Sequence, residues 1–355
     1  MSAPPRIVIA AGGTAGHVVP AIAVADALRA EGAEVSFVGG ERAEAELVPA
    51  AGYPLDPIKV EGISRSNPLK AARAVLKAGA SLGTARSILR RRRADVVLGG
   101  GGYVAGPVGL AAVAGRIPLV LTEADSHLGL TNRLLAGRAR RVCLAFPLAG
   151  RDGDRYLVTG RPVPPRTATR EEARAAFGLE DERCVLVFGG SLGARSINQA
   201  AVAAFADAPY RVLHIAGRRD HPDLTAPGPH YDLRDYVTPF GSALAAADLA
   251  VARSGGSIFE LAQYGLPAVL IPYPSASGDH QTANARWMEE GGAATVLADA
   301  ELTAPQLRTV VDAILLDPER VETWAAAARA LARPDAAADV AREVLRAARS
   351  SIRRQ

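Results

Sequence analysis

Cysteine is scarce in this chain. Cys143 and Cys184 are the two in 355 residues, each inside an apolar, strand-like run. Two thiols so placed do not indicate a disulfide framework, their number excludes a metal site built from cysteine alone, and they fit a reducing, cytosolic setting. Aromatic residues make up 5% of the chain against 35 glycines and many alanines, which suits helices packed closely on sheets. Neither sign of charge is in large excess. Forty-one basic residues face 37 acidic ones for a net charge of +4, too balanced for a general nucleic-acid binder. No apolar run is long enough to cross a membrane. The longest region, Val104 to Leu121, is interrupted by Gly106, Pro107, Gly115, Arg116 and Pro118. The apolar run after Arg6 is short and leads straight into a glycine turn, so no signal peptide is expected.

What is present is a folded chain of two-domain length, 49% hydrophobic and 22% charged. It is organised around Ile7 to Leu28. Ile7 to Ala10 reads as a buried strand, Gly12 to Gly16 as a tight turn, and the stretch through His17 and Pro20 as an amphipathic helix. Small residues let the turn approach a ligand, and the first N–H groups of the helix favour an anion. A strand at Glu34 to Val38, a helix at Arg42 to Ala50 and a strand at Leu55 to Val60 follow, the order of right-handed parallel crossovers. Glu41 stands where a dinucleotide fold closes its second strand with an acid. The turn GGTAGH lacks the GxGxxG spacing, however, which argues against a nicotinamide site.

Pro68 to Arg93 is basic, with Lys70, Arg73, Lys77, Arg86 and Arg90 to Arg93. Leu69, Val75, Leu76, Leu82, Ile88 and Leu89 are interleaved. Such a segment fits either an anionic membrane surface or a solvated edge of a sheet. The strand Asp95 to Leu98 runs into Gly99 to Gly102 and Tyr103, a loop kept narrow beside a ligand. Leu119 to Thr122 leads to Glu123, Asp125, Ser126 and His127, then to a helix with Thr131 and Asn132. Polar groups at the carboxyl ends of parallel strands are where open α/β sheets bind ligands. Asp152-Gly153-Asp154 reads as a turn in preference to a metal-binding pair.

The stiff segment Gly160 to Pro165 ends a first domain expected to span 1–163. A capping box, Thr169 with Glu172, opens the second, 164–335. There the opening pattern recurs: strand Cys184 to Phe188, a turn of Gly189, Gly190, Ser191, Leu192 and Gly193, helix Arg195 to Phe205, strand Val212 to Ile215. Asp95 to Thr122 and Asp248 to Ile271 match as well, each a strand, glycine loop, helix, glycine–proline turn and strand. The fold class is therefore α/β, with two doubly wound, Rossmann-like domains facing each other across a cleft. At the loop ends of the second domain, Arg253 is suited to offset phosphate charge and Glu260 to reach ribose hydroxyls. Asp279-His280-Gln281 with Asn284 suits sugar hydroxyls, although Asp279 equally suits a surface cap. Asp317, followed by Pro318, and Asp335 cap the closing helices.

GGTAGH, GGGGYVAGP, GGSLGARSINQ and RSGG…E followed by DHQTANA occur in this order over nearly the whole chain. Together they resemble the MurG family of peptidoglycan N-acetylglucosaminyltransferases. The resemblance implies a GT-B fold with UDP-GlcNAc in the C-terminal domain. The acceptor, undecaprenyl-pyrophosphoryl-MurNAc-pentapeptide (lipid I), would lie on the N-terminal domain, completed by the last helix, 336–355. It implies that Gly13, Thr14 and His17 face the acceptor, with Gly102, Tyr103 and Asn132. Gly190 and Ser191, in the turn that ends at Gly193, would meet the donor diphosphate. Val237 would pair its backbone with uracil, Glu260 would hold the ribose, and His280 and Gln281 would read the GlcNAc hydroxyls.

The family is inverting, and the resemblance implies no obligatory cofactor, no metal and no nucleic-acid partner. It implies a peripheral position on the cytoplasmic membrane face through Leu69 to Arg93, and leaves room for other cell-wall synthesis proteins as partners. His17 is the expected base, with a loop-orienting role as its alternative and Glu123 and Asp125 as rivals. The chain departs from the family pattern where TEAD, ending at Asp125, stands for HEQN. It departs again where Gly160-Arg161-Pro162-Val163-Pro164 stands for GNPVR and the usual donor-side arginine is missing. Arg161 and Arg166 are the candidates to replace it. A UDP-sugar epimerase and an inactive UDP-sugar-binding subunit are the rival functions, which fold alone does not separate.

Overall fold

The structure is a computed structural model that describes residues 3–60, 81–166, 168–190 and 193–352. The chain divides into two units, Met1–Pro164 with Arg333–Gln355, and Pro165–Ala332.

Unit 1 is built on seven parallel strands: β1 (Arg6–Ala10), β2 (Glu34–Gly39), β3 (Leu55–Pro57), β4 (Val96–Gly99), β5 (Leu119–Glu123), β6 (Arg141–Leu144) and β7 (Tyr156–Val158). Their order across the sheet is β3-β2-β1-β4-β5-β6-β7. Alternate residues of β1 enter opposite cores. Ile7 and Ile9 pack with Phe37 and Leu98 on one face, Val8 and Ala10 with Val97 and Leu121 on the other. Burial on both faces is why these strands read as continuous apolar runs.

The first face is covered by α1 (Ala15–Ala30) and α2 (Ala43–Ala50), and by the C-terminal helix Ala336–Ile352. Val340, Ala341, Val344, Ala347 and Ala348 of that helix share the core of Ile7 and Ile9. Its Glu343 holds Arg141 Nε of β6 at 2.7 Å. Because other helices flank it, α1 is apolar nearly all round and not amphipathic as expected; Val18, Ala21, Ala23, Val24, Ala25 and Leu28 are all buried. The second face carries a helix α3, whose described part is 81–91, with α4 (Ala105–Ala114) and α5 (Leu130–Leu135).

Unit 2 repeats the plan. Its six parallel strands are β8 (Cys184–Phe188), β9 (Arg211–Ile215), β10 (Tyr231–Arg234), β11 (Leu249–Ala252), β12 (Ala268–Leu270) and β13 (Ala294–Val296). They lie in the order β10-β9-β8-β11-β12-β13, which matches the first six strands of unit 1. The helices are α6 (Arg170–Ala176), α7 (Arg195–Ala204), α8 (Phe240–Ala246), α9 (Ile258–Tyr264), α10 (His280–Glu290), α11 (Ala304–Leu315) and α12 (Pro318–Leu331). The capping box is formed: Thr169 Oγ1 accepts from the Glu172 amide at 3.2 Å, and Glu172 accepts from the Thr169 amide at 2.9 Å. Asp317 caps α12 by accepting from the Arg320 amide at 3.1 Å. In both units the strand order reverses between the first strand and the fourth, the switch point that opens a ligand crevice at the carboxyl edge.

Candidate active site

In unit 1 the loops after β1, β4 and β5 surround a cavity of about 590 Å³. His17, Gly101, Tyr103, Asp125, Asn132 and Arg161 line its polar part, and Leu82, Leu110, Leu130 and Leu134 its apolar part. Leu110 is 52% exposed and Leu134 65%.

The two glycine loops touch through backbone. Gly102, at φ +76°, lies where a β-carbon would overlap the Gly12 carbonyl oxygen. A buried acid holds them together. Glu44 Oε2 accepts from the Gly13 amide at 2.9 Å, while Oε1 accepts from the Gly40 amide at 2.8 Å and from the Tyr103 hydroxyl at 2.9 Å. Burial by itself raises the Glu44 carboxyl; hydrogen bonds from backbone amides and from Tyr103 outweigh it and hold the group below the usual carboxylate range. The Gly13 amide and the Tyr103 hydroxyl are thus both engaged by Glu44, while Tyr103 still lines the cavity. The His17 and Val18 amides of α1 donate to the Thr14 carbonyl at 3.0 and 3.3 Å, which leaves the amides before them as the donors at this turn. Sequence reasoning looked for an acid at Glu41, which is exposed. The available signal is an acid in the first turn of the helix after Gly39-Gly40.

His17 is half-buried against Gly101, and its Nδ1 lies 3.5 Å from Thr14 Oγ1. Burial first, and then the charge of Arg161, pull it below the ordinary histidine value; Asp125 and Glu44 oppose the shift. A neutral imidazole near pH 7 is able to take a proton. Arg161 is placed by a proline. Pro20 lies inside α1 and has no N–H, so the Gly16 carbonyl loses its helical partner. Arg161 Nη2 donates to that carbonyl instead. Arg161 is thus occupied in unit 1. Arg166 donates to the Gln263 carbonyl from Nε at 3.1 Å and stacks on the Tyr264 ring, with 5.1 Å to the centroid. With Pro267 and Asp248 it lines a second cavity at the amino ends of β11 and β12, the edge away from the glycine turn. Both arginines are thus engaged within the protein.

Glu123 is buried and accepts from the amides of Ala124 (3.0 Å), Asp125 (3.2 Å) and Gly129 (2.8 Å) and from Asn132 Nδ2 (2.9 Å). Burial raises its carboxyl despite these donors. These contacts tie Glu123 to the loop after β5. Asn132 is likewise interior: Nδ2 also donates to the Thr122 carbonyl at 2.9 Å, and Oδ1 has no partner among the described residues. Asp125 keeps a carboxylate without a hydrogen-bond donor among the described residues and lines the cavity beside His17.

The basic segment divides. Leu69, Lys70, Arg73 and Lys77 lie outside the described residues. In α3, Ala85, Ile88 and Leu89 belong to the core. Arg91 and Arg92 both hold the buried Asp56, at 2.8 and 2.6 Å. One side of this half is therefore structural, while Arg86, Arg90 and Arg93 are exposed.

In unit 2 the donor-side candidates gather at the carboxyl edge of the sheet. Gly190 (φ +98°) and Gly193 (φ +82°) shape the turn after β8; Ser191 lies outside the described residues. A β-carbon on Gly193 would overlap the Ala216 carbonyl oxygen, so this turn rests on the end of β9. Asn198 of α7 secures it by donating to the Ala216 carbonyl at 2.9 Å and to Asp220 Oδ2 at 3.2 Å. Its Oδ1 lies 3.0 Å from His214 Nε2, and His214 Nδ1 lies 2.7 Å from the Tyr231 hydroxyl. Burial pulls His214 down to about 3, so it is neutral.

Arg253 does not stand free for phosphate. It is ion-paired to Asp299 at 2.6 Å, donates to the Ile271 and Pro272 carbonyls at 3.1 Å each, and donates to Ser196 Oγ at 2.8 Å. It braces the ends of β11 and β12 against the start of α7. Val237 is buried in the loop after β10, and Glu260 lies in the first turn of α9. His280 and Gln281 open α10, where Gln281 Oε1 accepts from the Tyr273 amide at 2.9 Å. Asp279 stands at the N-cap position of α10 with φ +53°; its side chain makes no capping bond to a backbone amide and accepts instead from Thr282 Oγ1 at 2.7 Å. Asn284 is buried and donates to the Ser254 carbonyl at 2.9 Å.

Residues 7–144 match the glycosyltransferase family 28 N-terminal domain and residues 184–340 the family 28 C-terminal domain. The chain is 41% identical to a UDP-N-acetylglucosamine–N-acetylmuramyl-(pentapeptide) pyrophosphoryl-undecaprenol N-acetylglucosamine transferase of Moorella thermoacetica, over 97% of this chain and 100% of that one. It belongs to the MurG family. A relative of the same name from Acidithiobacillus ferrooxidans is 44% identical over 94% of this chain and 96% of its own. The crystal structure of Acinetobacter baumannii MurG is similar with a TM-score of 0.77 at 28% identity, covering 96% of this chain and 100% of that one. Both units are thus the Rossmann-like halves of a MurG-type GT-B glycosyltransferase.

Proposed function

We propose that this MurG-family glycosyltransferase moves N-acetylglucosamine from UDP-GlcNAc, bound by unit 2, to the MurNAc 4-hydroxyl of undecaprenyl-pyrophosphoryl-MurNAc-pentapeptide, bound by unit 1. The observation that carries the acceptor reading is the cavity of unit 1. It joins a polar wall at His17 and Asp125 to an apolar mouth at Leu110, Leu130 and Leu134, which suits an amphiphilic acceptor.

The step is a single displacement. The acceptor oxygen forms a bond to C1 of GlcNAc, the bond from C1 to the UDP oxygen breaks, and configuration inverts. The hydroxyl proton passes to neutral His17, with Asp125 beside it. The UDP diphosphate leaves with its charge facing the Gly190 to Gly193 turn and the N-terminus of α7. The exposed leucines around the cavity rest on the cytoplasmic face of the membrane, where such a lipid is presented.

The test is transfer of labelled GlcNAc to a lipid I analogue, with EDTA present and a control without acceptor. Acceptor-dependent product with inverted configuration supports the reading. Isomerised sugar without acceptor identifies an epimerase, and UDP-GlcNAc binding without turnover identifies an inactive subunit. Unchanged binding of Leu110→Ser and Leu134→Ser variants to anionic liposomes would overturn the membrane face.

A further inference from the structure

We infer that Glu44 is a positioning residue for the acceptor: it holds the two glycine loops of unit 1 in the register that shapes the acceptor cavity. This rests on the reading that unit 1 binds the acceptor.

Glu44 is fully buried and is not among the residues that line the cavity, so it acts through its neighbours. Those neighbours come from three separate segments: Gly13 after β1, Gly40 after β2 and Tyr103 after β4, all within 2.9 Å of its carboxylate. The glycines around it form a slot for this side chain. A β-carbon on Gly12 would lie 2.7 Å from Glu44 Oε1, one on Gly39 2.7 Å from its Cγ, and one on Gly40 3.0 Å from Oε1. Part of what reads as a phosphate-binding glycine turn is therefore room for a carboxylate. Without it, the Gly13 and Gly40 amides would lose their acceptor and Tyr103 its tether. The charge also bars a phosphate from the Gly13 amide. The loops so fixed carry His17, Gly101 and Tyr103 into the cavity wall.

Glu44→Gln keeps the shape of the side chain. In either orientation of its amide, the Gly13 or the Gly40 N–H faces another N–H donor. We expect kcat/KM for the lipid acceptor to fall by about tenfold or more, mainly through KM, because loops out of register misplace the reacting hydroxyl. KM for UDP-GlcNAc and the Kd for UDP stay within about twofold, since the donor elements fold in the other unit. Tyr103→Phe gives a smaller rise in acceptor KM, and it adds less on top of Glu44→Gln than on the wild type, because the charge-assisted contact it removes is already weakened there. A purely structural role would lower the unfolding midpoint and leave both KM values unchanged at the assay temperature; that result overturns the inference. If Glu44→Gln does not fold, Tyr103→Phe decides alone: a raised acceptor KM with an unchanged donor KM supports the inference, and no change in either overturns it. Wild-type enzyme that transfers nothing to the lipid acceptor would overturn the acceptor reading, and this inference with it.

Discussion

Gly102 rests on Gly12 so closely that a β-carbon on the former would overlap the carbonyl oxygen of the latter. Unit 2 makes a contact of the same kind at a different pair of strands, Gly193 after its first strand on the Ala216 carbonyl after its second. Each unit thus seats a glycine loop on backbone. The loops are secured differently, by Glu44 in unit 1 and by Asn198 with His214 in unit 2.

These contacts separate the two substrates. Gly102→Ala forces a side chain into a positive-φ site, at a cost of about 1–2 kcal/mol, and into the Gly12 carbonyl as well. Acceptor turnover should fall by about a hundredfold while UDP affinity holds. Gly193→Ala should do the reverse, weakening UDP. Calorimetry with UDP and steady-state transfer with the lipid acceptor measure both.

The acid limb of the pH profile should report on His17. Its folded value is lowered by burial and by Arg161 and opposed by Asp125. A base works when deprotonated, so a lowered value extends activity toward acid. Arg161→Gln, which removes the cation but keeps a donor for the Gly16 carbonyl, should move the acid limb of kcat/KM to higher pH. Asp125→Asn should move it to lower pH. Limbs that stay put in both variants would assign the proton to another group.

The stability of unit 2 should fall in mild acid. His214 is neutral when folded, at about 3, and takes a proton more readily when unfolded. Between its unfolded value and 3 the unfolded state binds more protons, so stability rises with pH there and is lost as pH falls. The slope reaches at most about 1.4 kcal/mol per pH unit for one proton. Urea unfolding of wild type and His214→Gln from pH 7 to 4 checks this; the variant should lose that part of the slope.

Arg253 and Asp299 form a largely enclosed pair, with side chains 11% and 21% exposed. Arg253→Met leaves the Asp299 carboxylate without its cation, though still with the Ser196 hydroxyl at 2.8 Å, and the Ile271 and Pro272 carbonyls without their donor. We expect unit 2 to lose about 3 kcal/mol. Asp299→Asn, which can still accept from Arg253, should lose less. Denaturant unfolding of the two variants orders them.

The sequence by itself determined the architecture. Buried parallel strands read as apolar runs, the turns between them require glycine, and a repeated order of such signals implies a repeated topology. These are local properties, which is why β1 and β8, the matching loops at Gly99 and Arg253, the Thr169 capping box and the Asp317 cap were all legible. Which polar groups remain open to a ligand was decided only by the tertiary structure. Glu44 meets the Gly13 amide across 31 residues and the Tyr103 hydroxyl across 59; Arg161 meets the Gly16 carbonyl across 145. A buried donor or acceptor must find a partner, and that partner is whichever group the fold brings within reach. For the same reason Arg253, Glu123 and Asn132, each of the right chemistry for a ligand, turned inward to brace the loops, and Ile88 and Leu89 of the basic segment entered the core.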